Sequence, residues 1–265
     1  MHPIEQLRYV ARAHGADASA MVRETASAVR GLRLDPAGLV VACRRIVERH
    51  PTSGPLWWLC ARLLVSSDPF AEARSLADEF DDDSTPDVLA DTIPDDATVA
   101  TIGFPEQVWR PLARRGDVDV LAIESAHRTS AFVQRLERAE VSCEIVPAEA
   151  AAAAIRGADL AIVEAEAVGA TRAVAPIGSC VLAAVARAAS VPVWLVAGRG
   201  RRLPEAMVDS MIDRLAGVPW DLDHEPLPLE LVTHVVGPTG RAGMSPDAIR
   251  AECPMVGELL RPSPM

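Results

Sequence analysis

One short apolar segment, PIGSCVLAAVARAASVPVWLVAG (176–198), holds the residues of this chain whose types and spacing best suit chemistry. A turn made of Gly178, Ser179 and Cys180 precedes a helical pattern in it. The free N–H groups at a helix start attract anions and can lower the pKa of a thiol. The turn therefore suits three roles: it activates Cys180 as a nucleophile, it binds an anion through Gly178 and Ser179, or it only connects two elements while Cys180 packs.

The composition excludes several other kinds of site. The chain has 265 residues, its 26 basic residues are all arginine, and neither lysine nor asparagine occurs. These absences exclude a Schiff-base lysine, a Walker-type Gly-Lys pair and any site that needs asparagine. The formal net charge of −11 argues against a nucleic acid partner, because phosphate binding needs clustered cations.

The cysteines are odd in number, far apart and free of CxxC or Cys/His spacing, so we expect neither a disulfide framework nor a metal site. We also expect no cofactor. Most of these thiols are predicted to be small packed residues. The five cysteines of the chain are Cys43, Cys60, Cys143, Cys180 and Cys253.

The distribution of apolar residues predicts a soluble globular protein. Hydrophobic residues make up 49% of the chain. No window approaches the roughly 20 continuous apolar residues of a membrane span, and the first residues lack a signal-peptide core. We therefore expect a cytoplasmic protein with no membrane partner.

Helical patterns fill the first part of the chain. Apolar positions recur at helical spacing in 37–50, and further helices are expected in 55–67 and 69–80. Asp68 is the expected N-cap of the last of these helices. The patterns predict an N-terminal helical domain over residues 1–80.

The pattern changes twice after this region. Residues 81–96 are acidic and interrupted by prolines, which predicts an irregular linker. Over 97–265, short apolar runs alternate with helical patterns, which is typical of βαβ units. The predicted fold is α/β, a Rossmann-like doubly wound parallel sheet preceded by a small N-terminal helical domain.

In such a sheet the site lies at the carboxyl ends of the strands. No GxGxxG motif follows the first predicted strand, which argues against a dinucleotide site of the usual kind. His127, just beyond the second strand, is a candidate general base near neutral pH. The candidates for ligand contact are Thr101, Gly103, Glu124, Ser125, Arg128, Gly178 and Ser179, and Glu164-Ala165-Glu166 supplies acidic positions at a further strand end.

Six segments in consistent order, covering roughly residues 36–250, resemble one family. It contains the regulatory subunits of translation initiation factor 2B together with ribose-1,5-bisphosphate isomerase and methylthioribose-1-phosphate isomerase. The segments are HPTSGPLWWLCARLL, IPDDATVATIG, VDVLAIESAHRTSAFVQRLERAEVSCEIVP, ADLAIVEAEAV, PIGSCVLAAVARAASVPVWLVAG and PLELVTHVVGPTGRAGMSPDAI.

The resemblance implies a small helical domain on a Rossmann-like domain, assembled as a homodimer or with related subunits. In the isomerase branches it also implies a catalytic cysteine after the first strand and an aspartate in a Gly-Ala-Asp motif. These two groups move protons as a cyclic sugar phosphate opens and becomes a ketose. An arginine near the second strand contacts phosphate in those enzymes, a role that Arg128 could take here.

This sequence departs from the isomerase pattern at each catalytic position. Gly103 stands where the cysteine is expected, Glu166 where the aspartate is expected, and 175–176 is Ala-Pro instead of Asn-Lys. We therefore predict a non-catalytic binding or regulatory homologue with a residual pocket for a phosphorylated sugar or a nucleotide. The alternative is an active sugar-phosphate isomerase, an intramolecular oxidoreductase, in which Glu166 works with His127 or Cys180.

Overall fold

The computed structural model describes residues 17–32, 36–125, 129–215 and 217–261. Helices come first and a mixed α/β region with a large, mostly parallel sheet follows, which confirms the predicted fold class. Within the described ranges no helix combines the length and apolar character that crossing a membrane requires.

Three of the N-terminal helices form where the apolar periodicity predicted them, and a further helix, at 18–32, precedes them. The third of these four helices is almost entirely buried, with Trp57 and Trp58 inaccessible to solvent. Asp68 caps the fourth as expected, because its Oδ1 accepts hydrogen bonds from the N–H groups of Phe70 at 3.2 Å and Ala71 at 3.1 Å. The helices are α1 (Ala18–Leu32), α2 (Pro36–Arg49), α3 (Gly54–Val65) and α4 (Pro69–Asp81).

The segment 81–96, expected to be irregular, contains the helix α5 (Thr85–Thr92). Pro86 lies in its first turn, where the missing N–H group costs no hydrogen bond, so this proline starts the helix instead of breaking it. Leu89 and Ile93 are buried against the sheet. The segment is therefore packed structure between the helices and the sheet.

The main sheet has seven strands in the order β10-β9-β7-β4-β1-β2-β3, and only β10 runs antiparallel to its neighbour. A separate antiparallel sheet, in the order β5-β6-β8, was not anticipated from the sequence. The strands are β1 (Thr98–Ile102), β2 (Asp119–Ile123), β3 (Ser142–Val146), β4 (Leu160–Glu164), β5 (Ala167–Val168), β6 (Arg172–Pro176), β7 (Val193–Val196), β8 (His224–Pro228), β9 (His234–Gly237) and β10 (Gly240–Gly243).

Helices cover both faces of the main sheet. On one face, residues of α5 and of the next two helices share a core with β1 and β2; on the other face, the Ala-rich helix and the helix after β6 do so. The remaining helices are α6 (Trp109–Arg115), α7 (Thr129–Arg138), α8 (Ala151–Gly157), α9 (Ser179–Ala188), α10 (Glu205–Asp213) and α11 (Gly257–Leu260).

Strand order fixes where a ligand can approach. β1 pairs with β2 on one side and with β4 on the other, so the order in which the chain adds strands to the sheet reverses between β1 and β4. In doubly wound sheets the crevice at this switch point, outside the carboxyl ends of the strands, is the usual ligand site. Gly103 directly follows β1, and β4 ends at Glu164, with Glu166 two residues further along the chain.

Candidate functional site

Gly103 leaves β1 in a backbone conformation that favours glycine. Its φ is +69°, and its N–H donates a hydrogen bond to the Ile123 carbonyl at 3.2 Å. A Cβ built at this position would meet only the Ser125 Cβ, at 3.7 Å. Space therefore does not exclude a side chain here; the left-handed conformation disfavours one.

The neighbouring hydroxyls have structural partners. Thr101 is buried and its Oγ1 donates to the Ile162 carbonyl at 2.9 Å, which ties β1 to β4. Ser125 Oγ donates to the Ile177 carbonyl at 2.7 Å. Glu124 is exposed to solvent. Of these predicted ligand residues, Ser125 therefore positions the turn before Gly178.

The turn that opens α9 is closely packed, and one of its N–H groups is occupied. Gly178 has φ +90°, and a Cβ there would come within 2.7 Å of the Ile102 Cδ1. The N–H of Cys180 donates to Glu225 Oε1 at 2.8 Å, so a carboxylate of the protein already lies where an anion would bind. Ser179 is fully buried at this turn.

Cys180 is not activated by this environment. Partial burial, and then the nearby Glu225 carboxylate, raise the pKa of the thiol above its ordinary value. Both causes disfavour the thiolate, which is the nucleophilic form. The helix start therefore does not activate the cysteine, and among the roles that the sequence left open, packing agrees best with these contacts.

Glu166 belongs to a charged cluster at the carboxyl end of β4. Arg201 is almost inaccessible, with 2% of its side chain exposed, and its Nη2 lies 2.9 Å from Glu164 Oε1. Its Nη1 donates to the Ala165 carbonyl at 2.6 Å and lies 3.5 Å from Glu166 Oε2. One guanidinium thus contacts the carboxylates of both Glu164 and Glu166, which lie two residues apart.

Burial raises the pKa of Glu164 more than its ion pair with Arg201 lowers it. Burial, with help from the Glu166 and Glu106 charges, raises its pKa from 4.5 to about 8, although Arg201 and the Gln107 N–H act in the opposite direction. The pKa of Glu106 is raised too, mainly by burial. The cluster therefore holds a proton near neutral pH at a strand end, a property common at functional sites.

This raised pKa predicts a pH-dependent stability. Between about pH 4.5 and 8 the native state keeps a proton on Glu164 that the unfolded chain has released, so the free energy of unfolding falls as the pH rises. The slope from this group is at most about 1.4 kcal/mol per pH unit. Urea unfolding at pH 5.5, 6.5 and 7.5 measures it, with Glu164→Gln as the variant that cannot titrate. Parallel stability curves for the two proteins would contradict the prediction.

The N-terminal helices approach this cluster closely at one residue. A Cβ built on Gly54, the first residue of α3, would lie 2.1 Å from the Glu166 carbonyl oxygen. That distance is far below van der Waals contact, so only glycine allows the backbone of α3 to pack here. The backbone of Glu166 therefore lies where the helical region meets the sheet.

A cleft of about 900 Å³ opens between the helical region and the sheet, and Arg201 is among its lining residues. Arg23 of α1 lines one wall, and Phe104 and Trp109 line the other. Pockets of this size at the junction of two structural regions are typical of small-molecule sites.

Two residues from the sequence prediction, His127 and Arg128, lie outside the described residues. The sequence reasoning placed Glu164 at a strand end without assigning it a role, and it missed Arg201 as a site residue. Their signal was present: Glu164 and Glu166 are two apart, which places both on one side of an extended strand, and Arg201 lies in a GRGRR run after β7. Within the described ranges no group of three or more potential metal ligands occurs.

The sequence profile of the Initiation factor 2 subunit family matches residues 66–212. This chain belongs to that family. The match spans from the end of the helical region to α10 and includes β1, β4 and α9, the elements that build the site. No curated protein matches the sequence significantly.

Solved structures with the family's fold agree with this assignment. The translation initiation factor eIF-2B of Pyrococcus horikoshii OT3 has a TM-score of 0.77 and 16% identity, over 93% of this chain and 98% of that chain. The tetrameric eIF2B-beta2-delta2 complex of C. thermophilum has a TM-score of 0.72 and 17% identity, over 91% and 90%. The 5-methylthioribose 1-phosphate isomerase of P. horikoshii OT3 has a TM-score of 0.64 and 17% identity, over 91% and 84%. At these identities the likeness concerns the fold.

Proposed function

We propose that this family member is a cytoplasmic binding or regulatory protein without isomerase activity, and that its cleft takes a phosphorylated sugar or a nucleotide. The observation that carries the proposal is the state of Glu166. Its carboxylate pairs with the buried Arg201 and also lies 3.8 Å from His224 Nε2. This engagement by a buried guanidinium is unfavourable for proton abstraction from a sugar carbon.

The second group that an isomerase of this type needs is missing. Gly103 carries no thiol, and Cys180 has a raised pKa that makes it a poor acid and a poor nucleophile. The scaffold is retained while the groups that would transfer protons are replaced or engaged. Binding without turnover accounts for both features.

The cleft supports the ligand part of the proposal. Arginines line it on both sides, from α1 and from the helices after β1 and β2, and guanidinium groups suit phosphate oxygens. Aromatic rings of Phe104 and Trp109 provide an apolar wall for a sugar or base. Phosphorylated sugars and nucleotides carry both a phosphate, which suits the arginines, and a sugar or base, which suits the aromatic wall.

The expected result is binding without conversion. Ribose 1,5-bisphosphate, methylthioribose 1-phosphate and AMP are titrated in a thermal-shift assay, and the first two are assayed for ketose formation. A ligand present at 100 times its Kd stabilises the native state by about 2.7 kcal/mol, which is readily seen as a higher Tm. A Tm unchanged across the whole panel would contradict the ligand part.

An isomerase remains the alternative function, favoured by one observation. Glu164, whose pKa is raised to about 8, and Glu166 place two carboxyl groups against the same guanidinium, and paired carboxyl groups are a common arrangement for acid–base chemistry. Turnover of either sugar phosphate by the wild type, abolished in Glu166→Gln, would establish this alternative and overturn the regulatory proposal. Equal rates in the two proteins would exclude Glu166 as the base.

We extend the proposal to assembly, as a homodimer or as an oligomer with related family subunits. The C. thermophilum complex of similar fold contains two kinds of subunit. Trp220 is 81% exposed, which is unusual for a large apolar side chain on the surface of a monomer. Light scattering of the purified chain measures its mass in solution.

A further inference from the structure

Four residues on one wall of the cleft form an arginine–aromatic shelf: Phe104, Trp109, Arg110 and Arg135. Phe104 follows Gly103 directly after β1, Trp109 and Arg110 begin α6, and Arg135 lies on α7. The shelf is therefore built by the two helices that follow β1 and β2, next to the switch point of the sheet. The sequence prediction used none of these residues.

The rings hold both guanidinium groups in place. Arg135 Cζ lies 4.8 Å from the centroid of the Phe104 ring and 5.2 Å from that of Trp109. Arg110 Cζ lies 5.4 Å from the Trp109 centroid. Phe104 is supported from behind by the buried Phe132 in an edge-on contact with centroids 6.0 Å apart. Cation–π contacts of this kind restrain a guanidinium while leaving its N–H groups available to a ligand.

The shelf arginines have no carboxylate partner in the described part of the chain. The carboxylates that line the same cleft are all engaged elsewhere: Asp17, Asp81, Asp83 and Glu106 each accept a hydrogen bond from the protein. Most arginines around the carboxyl edge of the sheet are paired, as Arg201 is with Glu164. Two restrained guanidinium groups without a carboxylate partner, in a cleft of a protein with net charge −11, therefore suit an anionic ligand.

We propose that Arg110 and Arg135 bind the phosphoryl group of the ligand through charge-assisted hydrogen bonds, with the rest of the ligand lying toward Gln107 and Arg201. This inference rests on the proposed function. It specifies that the phosphoryl group of the ligand is recognised, and that Arg110 and Arg135 recognise it. The resemblance to the isomerases assigns phosphate contact to Arg128, so the shelf is a distinct anchor.

Matched probes and variants test the proposal by isothermal titration calorimetry on the full chain. The probes are ribose 5-phosphate and AMP, their unphosphorylated counterparts ribose and adenosine, and inorganic phosphate alone. The variants are Arg110→Gln and Arg135→Gln. The control is Arg138→Gln, which removes an exposed arginine of the same helix α7 that does not line the cleft. Unfolding midpoints equal to the wild type show that each variant is folded.

We expect the phosphorylated probes to bind the wild type and the control, and each shelf variant to weaken the affinity at least about tenfold. Ribose and adenosine should bind no better to the wild type than to the variants. Unchanged affinity of the phosphorylated probes in both shelf variants would overturn the shelf while leaving the proposed function intact. Binding of inorganic phosphate that the shelf variants lose, without binding of any organic probe, would support the shelf and contradict the proposed function. Absence of all binding would overturn both.

Discussion

Replacing Arg201 by methionine is expected to lower the free energy of unfolding by about 3 to 5 kcal/mol at pH 9, which is above the Glu164 pKa of about 8, so that this carboxyl is ionised in the wild type. Methionine keeps much of the side-chain volume but removes the charge. The Glu164 carboxylate, 4% exposed, then remains buried without its partner 2.9 Å away, and the Ala165 carbonyl loses its donor. Urea unfolding followed by tryptophan fluorescence measures the change. The loss should be smaller at pH 5.5, because Glu164 is then protonated.

Two further variants locate the cause of this effect. Arg250→Met removes an arginine whose pair with Asp247 is largely exposed, at 76% and 84%, and we expect a change within about 0.5 kcal/mol. Adding Glu164→Gln to Arg201→Met should recover part of the lost stability, since no buried charge is left unpaired. A loss below about 1 kcal/mol in Arg201→Met would show that the cluster does not hold this edge of the sheet together.

Gly54→Ala tests the contact between the helical region and the site. The new Cβ would lie 2.1 Å from the Glu166 carbonyl oxygen and 3.3 Å from the Ala167 Cβ. Because both neighbours belong to the β4–β5 backbone region and not to a flexible side-chain end, α3 must move away. We expect a loss of about 1 to 3 kcal/mol by overpacking, together with weaker binding of any ligand that occupies the cleft. Urea unfolding and the titrations described above measure the two effects.

Gly157→Ala is the matched control for this change. Gly157 ends α8, and a Cβ added there would meet no atom of the rest of the described chain within 4 Å. The same added methyl group should leave stability unchanged or raise it by about 0.4 to 1 kcal/mol. A Gly54→Ala protein as stable as the Gly157→Ala protein would mean that α3 can shift without cost, and that the close approach to Glu166 does not fix the geometry of the site.

These expectations share one physical origin. Arg201, Glu164 and Glu166 bring three ionisable groups together at a largely buried strand end, where α3 also packs. Buried charges are costly to separate, so the geometry of this edge is rigid. Rigidity of this kind suits a protein that binds a ligand in a fixed cleft, in agreement with the proposed regulatory role.

The amino-acid sequence by itself determined the fold class and most of the elements. Local periodicity defines helices such as α3, Asp68 identifies a helix start, and short apolar runs bounded by helical patterns require a covered parallel sheet. Residue identity also establishes which group is missing, since Gly103 carries no thiol whatever its surroundings. These properties depend on the residue itself or on neighbours a few positions away.

Only the tertiary structure decided the state of the groups that are present. Arg201 meets Glu166 from 35 positions away, Glu225 reaches the Cys180 N–H from 45 positions away, and α7 brings Arg135 over the Phe104 ring. The acidic segment 81–96 became a packed helix for the same reason, because the sheet supplied an apolar surface for Leu89 and Ile93. Charge, burial and pKa are set by neighbours in space, and no local pattern specifies which distant side chain occupies the adjacent position.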